Sequence, residues 1–292
     1  MYTVMGVTGK VGGATARALL AEGKRPRVVV RDRAKGESWA AQECEVAIAD
    51  LDNAGTLAHA FAGAEAAFVM LPPLFDPSPD WREARAMIDT LRAALIKGAP
   101  KRVVALSTIG ADAERPNLLS QLGLLERALS TLAMPVMFLR AAWFMENAAF
   151  DLASARDHGV IESYLQPLDR AVPMIATADI GSTIADLLQQ DRRGVRVVEI
   201  ESAVRVSPTA IAAAFSKALG KPVKAEAVPR ENWEAIFRAQ GMRNPLPRMQ
   251  MIDGFNEGWI DFADKGAHAR KGSVSIDTAI AALVNVPASA RR

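Results

Sequence analysis

Short apolar runs alternate with amphipathic segments through the first two-thirds of the chain, and this alternation predicts strands and helices in turn. The predicted strands are Tyr2–Met5, Arg27–Arg31, Val46–Ala49, Ala66–Leu71, Val103–Leu106 and Pro135–Leu139. The predicted helices are Val11–Glu22, Thr56–Phe61, Trp81–Ile96 and Leu118–Leu132. Because near-continuous apolar strands separated by helices are typical of a parallel sheet covered on both faces, the pattern predicts a doubly wound α/β fold.

The pattern loosens after about residue 150, where Gly and Pro punctuate shorter segments. The elements predicted there are Asp179–Gln190, Arg196–Ile200, Pro208–Leu219, Val223–Ala227, Glu231–Ala239 and a long helix over Leu246–Asp264. We therefore expect residues 1–150, joined by about 171–202, to form the α/β core. Residues 151–170 and 203–292 are expected to form a small, mainly helical region on that core.

A glycine-rich turn follows the first predicted strand and opens the first predicted helix, with the sequence Gly6-Val7-Thr8-Gly9-Lys10-Val11-Gly12. Gly6 suits a sharp turn out of the strand, Gly9 lets a pyrophosphate approach the backbone, and Gly12 lets the helix pack close. The helix N-terminus attracts anions, and Thr8 and Lys10 add a hydroxyl and a charge at the same place. We predict a Rossmann-type domain that holds a dinucleotide; the alternative is a glycine-rich turn without a ligand.

Three cations, Arg31, Arg33 and Lys35, follow the second predicted strand, and Asp32 lies among them. In this type of domain a carboxylate at that position selects NAD, whereas an arginine accommodates the 2′-phosphate of NADP. The planar guanidinium donates two hydrogen bonds to a phosphate at once, while Asp32 can orient Arg31 or cap the next turn. The predicted cofactor is therefore NADP(H) rather than NAD, and the alternative is a solvated charged turn.

Three later strand ends complete the predicted cofactor site. Asp50 or the backbone of Leu51 follows the third strand and can meet the adenine. Leu71 and Pro72 follow the fourth strand, where the fixed backbone of proline forms a rigid wall. Ser107 ends the fifth strand. All of these are carboxyl ends of strands, where open α/β sheets bind their ligands.

Composition and charge exclude several other classes. The 35 basic and 33 acidic residues give a net charge of +2, and there is neither a basic stripe nor a helix-turn-helix pattern, so direct nucleic-acid binding is not expected. No apolar run is long enough for a membrane helix and no signal peptide is visible, so we expect a cytoplasmic protein. One cysteine, and three histidines without ligand spacing (His59, His158 and His268), do not support a metal site.

Taken together, these residues resemble the NmrA-like group of atypical short-chain dehydrogenase/reductases, which contains NAD(P)H-dependent quinone reductases and redox-sensing regulators. The resemblance runs through Gly6–Gly12, Val30–Asp32, Lys35, Asp50–Asp52, Ala66–Pro73, Leu106–Gly110, Glu126–Leu129, Leu139–Asn147, Thr177–Gly181 and Ala218–Val223. It implies cofactor contacts at Gly6, Thr8, Gly9, Lys10, Val11, Gly12, Arg31, Lys35 and Leu71. It also implies that Trp143, Phe144 and Asn147 lie near the nicotinamide and that the C-terminal region forms the wall and lid of a substrate cleft.

The acid pair that most short-chain dehydrogenases use, Tyr-x-x-x-Lys, is missing from the sequence. The chain has two tyrosines, Tyr2 and Tyr164, and neither has a lysine four residues later. An alignment anchored on Glu126 places Leu119 and Gly123 at the positions of the pair. Carbonyl reduction with a tyrosine as the proton donor is therefore not expected.

Two classes of function remain open. The first is an NADPH-dependent oxidoreductase acting on a quinone-like or other small apolar acceptor, for which Ser107, Thr108 and Asn147 are the candidate hydrogen-bonding residues. The second is an NADP(H)-binding sensor without catalysis, which would report the redox state of the cofactor to a protein partner. The oligomeric state is left open by the sequence.

The predicted substrate region is rich in Met and aromatic residues. On the long helix, Met251 and Phe255 are candidate cleft residues, and one helical face is predicted to contain Ile252, Phe255, Trp259 and Phe262. This face is either a lid over an apolar pocket or a helix packed on the core. Trp143 and Phe144 are expected to open the helix after the sixth strand, at the mouth of the cleft.

Overall fold

The computed structural model describes residues 1–285, which contain twelve strands and eleven α-helices. The strands are β1 (Tyr2–Val4), β2 (Arg27–Val30), β3 (Glu45–Ile48), β4 (Ala66–Val69), β5 (Val103–Thr108), β6 (Val136–Ala141), β7 (Trp143–Phe144), β8 (Val160–Ser163), β9 (Met174–Ile175), β10 (Val195–Ser202), β11 (Lys224–Ala227) and β12 (Arg270–Gly272). The helices are α1 (Lys10–Ala21), α2 (Glu37–Ala40), α3 (Ala54–Phe61), α4 (Arg82–Gly98), α5 (Ser120–Leu129), α6 (Leu152–His158), α7 (Thr177–Gln189), α8 (Pro208–Leu219), α9 (Trp233–Ala239), α10 (Leu246–Glu257) and α11 (Ile276–Asn285). The C-terminal end of the predicted 203–292 region, residues 286–292, lies outside the described residues.

Eight of the strands form one parallel sheet in the order β12-β10-β6-β5-β4-β1-β2-β3, with helices on both sides. The chain starts in the middle of this sheet, moves outward through β2 and β3, and returns to β4 on the other side of β1. Strand order therefore reverses between β1 and β4, which is the arrangement of a doubly wound Rossmann-type sheet. The predicted fold class is confirmed.

Helix α1 is held between the first strand and helix α7. Thr15 and Ala16 of α1 are buried, and Gly181 of α7 packs directly on Ala14 and Thr15. A Cβ atom on Gly181 would lie only 2.4 Å from the Cβ of Ala14. The absence of a side chain at this glycine allows the two helices to approach, and their positions are fixed together.

The described residues divide into two compact units. The first comprises residues 1–112, 119–141 and 177–199; the second comprises residues 113–118, 142–176 and the described chain from residue 200 onward. Residues 142–150 lie in the second unit, because the chain leaves the large sheet at Ala141 and forms β7 and a 3-10 helix (Met145–Asp151). The second unit also contains the small parallel pairs β7–β9 and β8–β11, which the sequence pattern does not predict as pairs.

The predicted helix over Leu246–Asp264 is wrong in its second half. Helix α10 ends at Glu257, because Gly258 adopts a left-handed conformation with φ of +85° and the Ile260 N–H returns to the Gly254 carbonyl. Trp259 and Phe262 therefore do not continue the helical face that contains Ile252 and Phe255. The prediction relied on the apolar periodicity of the sequence. That periodicity extends past the end of α10, because Phe262 is apolar and buried although it lies outside the helix.

The expectation that Trp143 and Phe144 open a helix is also wrong. The two residues form strand β7, which pairs with β9, and the helical turns begin at Met145. A strand of two residues is too short to show an alternation in the sequence. Among residues 1–285, no helix combines the length and the apolarity needed to cross a bilayer.

We expect Gly181→Ala to destabilise the protein. Helix propensity alone predicts that alanine stabilises α7 by about 1 kcal/mol. Because the new methyl group collides with α1, we expect instead a loss of about 1–3 kcal/mol in the free energy of unfolding, measured by urea denaturation. Ser182→Ala, on the exposed side of the same helix, is the control and should change stability by a few tenths of a kcal/mol. A stabilised Gly181→Ala variant would contradict the packing.

Candidate functional site

The turn between β1 and α1 has the geometry that the glycine run predicts. Gly6 has φ of +69°, which allows the chain to reverse out of β1. A Cβ atom on Gly12 would lie 2.4 Å from the backbone of Met5 and Gly6, so only glycine lets α1 pack on this turn. A Cβ atom on Gly9 would meet only the Gly6 carbonyl oxygen, at 3.3 Å, so its outer side is open.

The N-terminus of α1 is suited to a phosphate group. Gly9 caps the helix without a side-chain hydrogen bond, and the first turn contains no acidic residue. Thr8, Gly9 and Lys10 are exposed, whereas Val11 is buried. An exposed helix N-terminus with a cation and no carboxylate of its own has the charge and the N–H groups that bind a phosphate. These residues therefore fit the pyrophosphate of a dinucleotide.

The turn after β2 presents two arginines without acidic partners. Arg31 and Arg33 are exposed, and the side chain of neither forms a hydrogen bond or an ion pair within residues 1–285. Asp32 is engaged elsewhere: its carboxylate accepts a hydrogen bond from the Lys35 N–H at 3.0 Å and lies 3.7 Å from the Lys35 ammonium. Asp32 thus caps the next turn, which is one of the two roles that the sequence allows.

The other predicted cofactor residues follow β3 and β4. Asp50 is exposed and accepts a hydrogen bond from the Leu51 N–H at 2.7 Å. Leu51 and Leu71 pack on the hydrophobic core, and Pro72 is exposed beside Leu71. Because the sheet is parallel, these residues lie along the same edge as the glycine turn and the arginine turn.

Ser107, Glu126 and Arg140 form a network on the first unit at the ends of β5 and β6. Ser107 donates a hydrogen bond to Glu126 Oε1 at 2.5 Å, and Arg140 donates to both carboxylate oxygens at 2.9 and 2.7 Å. The Arg140 and Glu126 side chains are each 12% exposed, and Arg140 also binds Asp112. These hydrogen bonds to Glu126 raise the pKa of the Arg140 guanidinium further above its ordinary range.

The network distinguishes the two candidate hydroxyl groups at the end of β5, those of Ser107 and Thr108. Ser107 is 3% exposed and its proton is directed at Glu126. Thr108 is half-buried, and its hydroxyl forms no hydrogen bond within residues 1–285. The sequence pattern missed Glu126 as a functional neighbour of Ser107, since the two residues are 19 positions apart.

The lysine position of the short-chain dehydrogenase pair is closed by the backbone. A Cβ atom on Gly123 would lie 2.3 Å from the Ala111 carbonyl oxygen. Leu119, at the tyrosine position of the alignment, is the residue that precedes α5. The first turns of α5 therefore pack against the loop after β5 at a distance that admits no side chain at position 123.

The second unit brings together two of the predicted cleft residues. The rings of Trp143 and Phe255 meet edge to face, with centroids 5.2 Å apart and an interplanar angle of 83°. Met251 is buried on the same helix as Phe255, and Phe144 pairs with Ile175 in the β7–β9 ladder. Asn147 is exposed, and its amide forms no hydrogen bond within the described chain.

An unexpected titratable group lies on the second unit. Burial, reinforced by repulsion from Glu162, raises the pKa of the Asp151 carboxyl from 3.8 to about 7. Asp151 directly precedes α6, and Glu162 lies on β8, which follows α6 in the chain. This pKa shift could not be predicted from the sequence, because it depends on the way the chain folds around α6.

Comparison with known proteins points to one family. A family model described as the NmrA-like family matches residues 2–261. The NAD(P)H azoreductase of Xenophilus azovorans is 29% identical over 259 residues, covering 88% of this chain and 85% of the relative. Quinone oxidoreductase 2 of Escherichia coli K12 is 24% identical over 251 residues, covering 85% of each protein.

Solved structures with the same fold include two reductases with bound cofactor. An NADPH-dependent quinone oxidoreductase from Escherichia coli, complexed with NADPH, has a TM-score of 0.80 at 21% identity and covers 98% of this chain and 100% of its own. A triphenylmethane reductase from Citrobacter sp., complexed with NADP(H), has a TM-score of 0.78 at 19% identity and covers 97% of this chain and 99% of its own.

We expect Glu126→Leu to be strongly destabilising, because it leaves the Arg140 guanidinium half-buried with its main partner removed. The expected loss in the free energy of unfolding is about 3–5 kcal/mol. Adding Arg140→Met should recover a large part of this loss, since an apolar pair can replace a buried ion pair. Glu65→Gln, which removes the exposed Lys101 pair, is the control and should change stability far less than Glu126→Leu. Urea denaturation of the four proteins tests this, and equal losses for Glu126→Leu and Glu65→Gln would refute it.

Asp151 should make stability depend on pH. The carboxyl of an unfolded chain titrates near about pH 4, so the folded state holds its proton to a higher pH than the unfolded state. The contribution of Asp151 is therefore most favourable below about pH 4 and is lost as the pH rises through about 7. Asp151→Asn should remove this fall and be more stable than the wild type at pH 8. Asp157→Asn, an exposed carboxylate on α6, is the control, and parallel stability–pH curves for all three proteins would disprove the assignment.

Proposed function

Because the chain belongs to the NmrA-like family, we propose that it is a reductase that binds NADP(H) along the carboxyl edge of its parallel sheet and reduces a small apolar acceptor of the quinone type. The observation that supports this proposal best is the exposed N-terminus of α1 together with the turn after β2, where the side chains of Arg31 and Arg33 have no partner within residues 1–285. Relatives named as an NAD(P)H azoreductase and a quinone oxidoreductase support the choice of reaction.

In the proposed complex the pyrophosphate lies at Gly6, Thr8, Gly9, Lys10, Val11 and Gly12. Arg31 and Arg33 bind the 2′-phosphate, since each guanidinium is free to donate two hydrogen bonds. Lys35 contributes less charge there, because Asp32 lies beside it. Asp50 and Leu51 border the adenine, and Leu71 and Pro72 form the wall after β4.

The proposed reaction does not need a tyrosine as an acid. A bound NADPH supplies the hydride, and a quinone that accepts it becomes an aromatic phenolate, which water can protonate. The protein has to bind the acceptor oxygen and exclude competing water. Thr108 on the first unit and Asn147 on the second are separate candidates for this role, because the Thr108 hydroxyl and the Asn147 amide form no hydrogen bond within residues 1–285. The proton of Ser107 is already donated to Glu126. Trp143, Phe144, Met251 and Phe255 supply the apolar surface for a ring.

A second candidate function is an NADP(H)-binding sensor that does not turn over. The missing Tyr-x-x-x-Lys pair and the closed position at Gly123 favour it, because the usual proton donor is absent and position 123 has no room for the lysine that assists it. A sensor must bind NADPH and NADP⁺ with different affinities, since only a difference can shift its conformation. It would also need a protein partner to receive the signal.

We expect NADPH to bind more tightly than NADH in fluorescence titrations, and Arg31→Met to weaken NADPH binding by about tenfold while changing NADH binding less than about twofold. The reason is that the 2′-phosphate exists only in NADPH. Lys24→Met, an exposed cation on the loop before β2, is the matched control and should leave both affinities unchanged. Equal effects of Arg31→Met on the two cofactors would rule out the assigned phosphate site.

The wild-type protein should oxidise NADPH with 2-methyl-1,4-naphthoquinone as the acceptor. Thr108→Val and Asn147→Ala should each lower kcat by about tenfold, the effect of about 1.4 kcal/mol in a transition state, with NADPH affinity retained. If the wild-type protein reduces no quinone but binds NADPH and NADP⁺ with different affinities, the sensor replaces the reductase as the proposed function.

A further inference from the structure

The second unit contains a cavity of about 290 Å³ whose lining is partly charged and partly apolar. The lining includes Phe255 and Ile260, which are 3% and 2% exposed, and the cations Arg170, Arg205 and Lys265. Phe255 is also the residue whose ring meets Trp143. The volume is at the lower end of the range for small-molecule sites, so the cavity suits a ligand of one or two rings.

Arg205 is neutralised by its neighbours and cannot attract a ligand by itself. It binds both oxygens of Asp261, at 2.8 and 2.7 Å, and Glu201 at 3.0 Å. Glu201 is 2% exposed and also binds Lys271. These four side chains carry two positive and two negative charges, so they form a balanced cluster.

Glu257 is likewise paired. It accepts hydrogen bonds from Arg115 at 3.2 Å and from the indole N–H of Trp259 at 2.9 Å. The Arg115 guanidinium lies 5.3 Å from the centre of the Trp259 ring. The acidic side chains that border the cavity therefore already have basic partners.

Arg170 and Lys265 are the other two cations in the lining of the cavity. Both are exposed, and neither side chain has an ion pair or a hydrogen bond within residues 1–285. The lining of the cavity consequently has an unbalanced positive charge. Because Arg170 and Lys265 are far apart in sequence, the sequence pattern gave no sign of a charged site in this region.

The backbone that presents Lys265 is held in a strained conformation. Asp264 and Lys265 have φ of +49° and +53°, and Gly266 follows with φ of +78°. Left-handed backbone costs roughly 1–2 kcal/mol for each residue other than glycine, and such strain clusters at ligand sites. Arg205 donates to the Lys265 carbonyl at 2.7 Å and Lys271 donates to the Gly266 carbonyl at 3.0 Å. The balanced cluster thus fixes the segment on which Lys265 lies.

We propose that this cavity binds the anionic substituent of a small aromatic acceptor, a carboxylate or a sulfonate, with Arg170 and Lys265 as the recognising cations. The proposal rests on the reductase function for the identity of the ligand as a substrate. Its physical basis does not depend on turnover, since two exposed cations without an ion-pair partner within residues 1–285 attract an anion whether or not it is reduced.

Binding is tested first with ligands that cannot be reduced. By isothermal titration calorimetry, wild-type protein should bind naphthalene-2-sulfonate at least about tenfold more tightly than the neutral 2-naphthamide. Arg170→Met/Lys265→Met should abolish this preference, and Arg170→Lys/Lys265→Arg should restore it. The preference should weaken as the salt concentration rises. Since both side chains are exposed and unpaired, the variants should keep the wild-type Tm.

Lys24→Met/Arg193→Met removes two exposed cations elsewhere and controls for net charge. It should retain the preference for the sulfonate. An equal affinity of the wild type for both ligands, or a preference that survives in Arg170→Met/Lys265→Met, overturns the proposal.

Turnover then separates this proposal from the proposed function. The ratio of kcat/KM for 1,2-naphthoquinone-4-sulfonate to that for 1,2-naphthoquinone should fall about tenfold in Arg170→Met/Lys265→Met. If both quinones are reduced and the ratio does not change, the anion site fails and the reductase stands. If neither quinone is reduced but the calorimetric preference is lost in the variant, the reductase fails and the anion site stands.

Discussion

The close contact of α1 with the β1–α1 turn is the constraint on which the first unit depends. At Gly12 the helix touches the backbone of Met5 and Gly6, and at Gly181 helix α7 touches α1 in turn. These two contacts leave no freedom to shift α1 along its axis. The helix N-terminus therefore stays beside the carboxyl ends of the strands, and an anion held there has a fixed position relative to β4 and β5.

The elements of the first unit could be predicted because their signals are local. Strands β4 and β5 are apolar on both faces, and helix α4 between them has one apolar face, so each element is visible in a short window of sequence. The second unit offered weaker signals. The end of α10 depends on the left-handed conformation of Gly258, while the apolar pattern continues through it to Phe262. Strand β7 exists because β9 is available to pair with it, and no window of sequence contains both.

The residues of the candidate site also differ in how far they could be predicted from the sequence. The glycine turn and the cations after β2 are contiguous in sequence, and elementary arguments about backbone geometry and charge are sufficient to find them. The hydrogen bond from Ser107 to Glu126 joins residues on a strand and on the following helix, so its presence could not be known before the fold. It changes the chemistry of the site, because Thr108 then supplies the hydroxyl at the end of β5 that has no hydrogen-bond partner within residues 1–285. Arg205 has acidic partners, whereas Arg170 and Lys265 have none within residues 1–285. This difference likewise depends on the folded chain.

Gly123 has a consequence for the redesign of this scaffold. Its α-carbon faces the Ala111 carbonyl oxygen so closely that a Cβ atom would lie 2.3 Å from it. Placing the short-chain dehydrogenase acid pair at positions 119 and 123 would therefore displace the loop after β5. An engineer who wants alcohol chemistry from this scaffold has to rebuild that loop first.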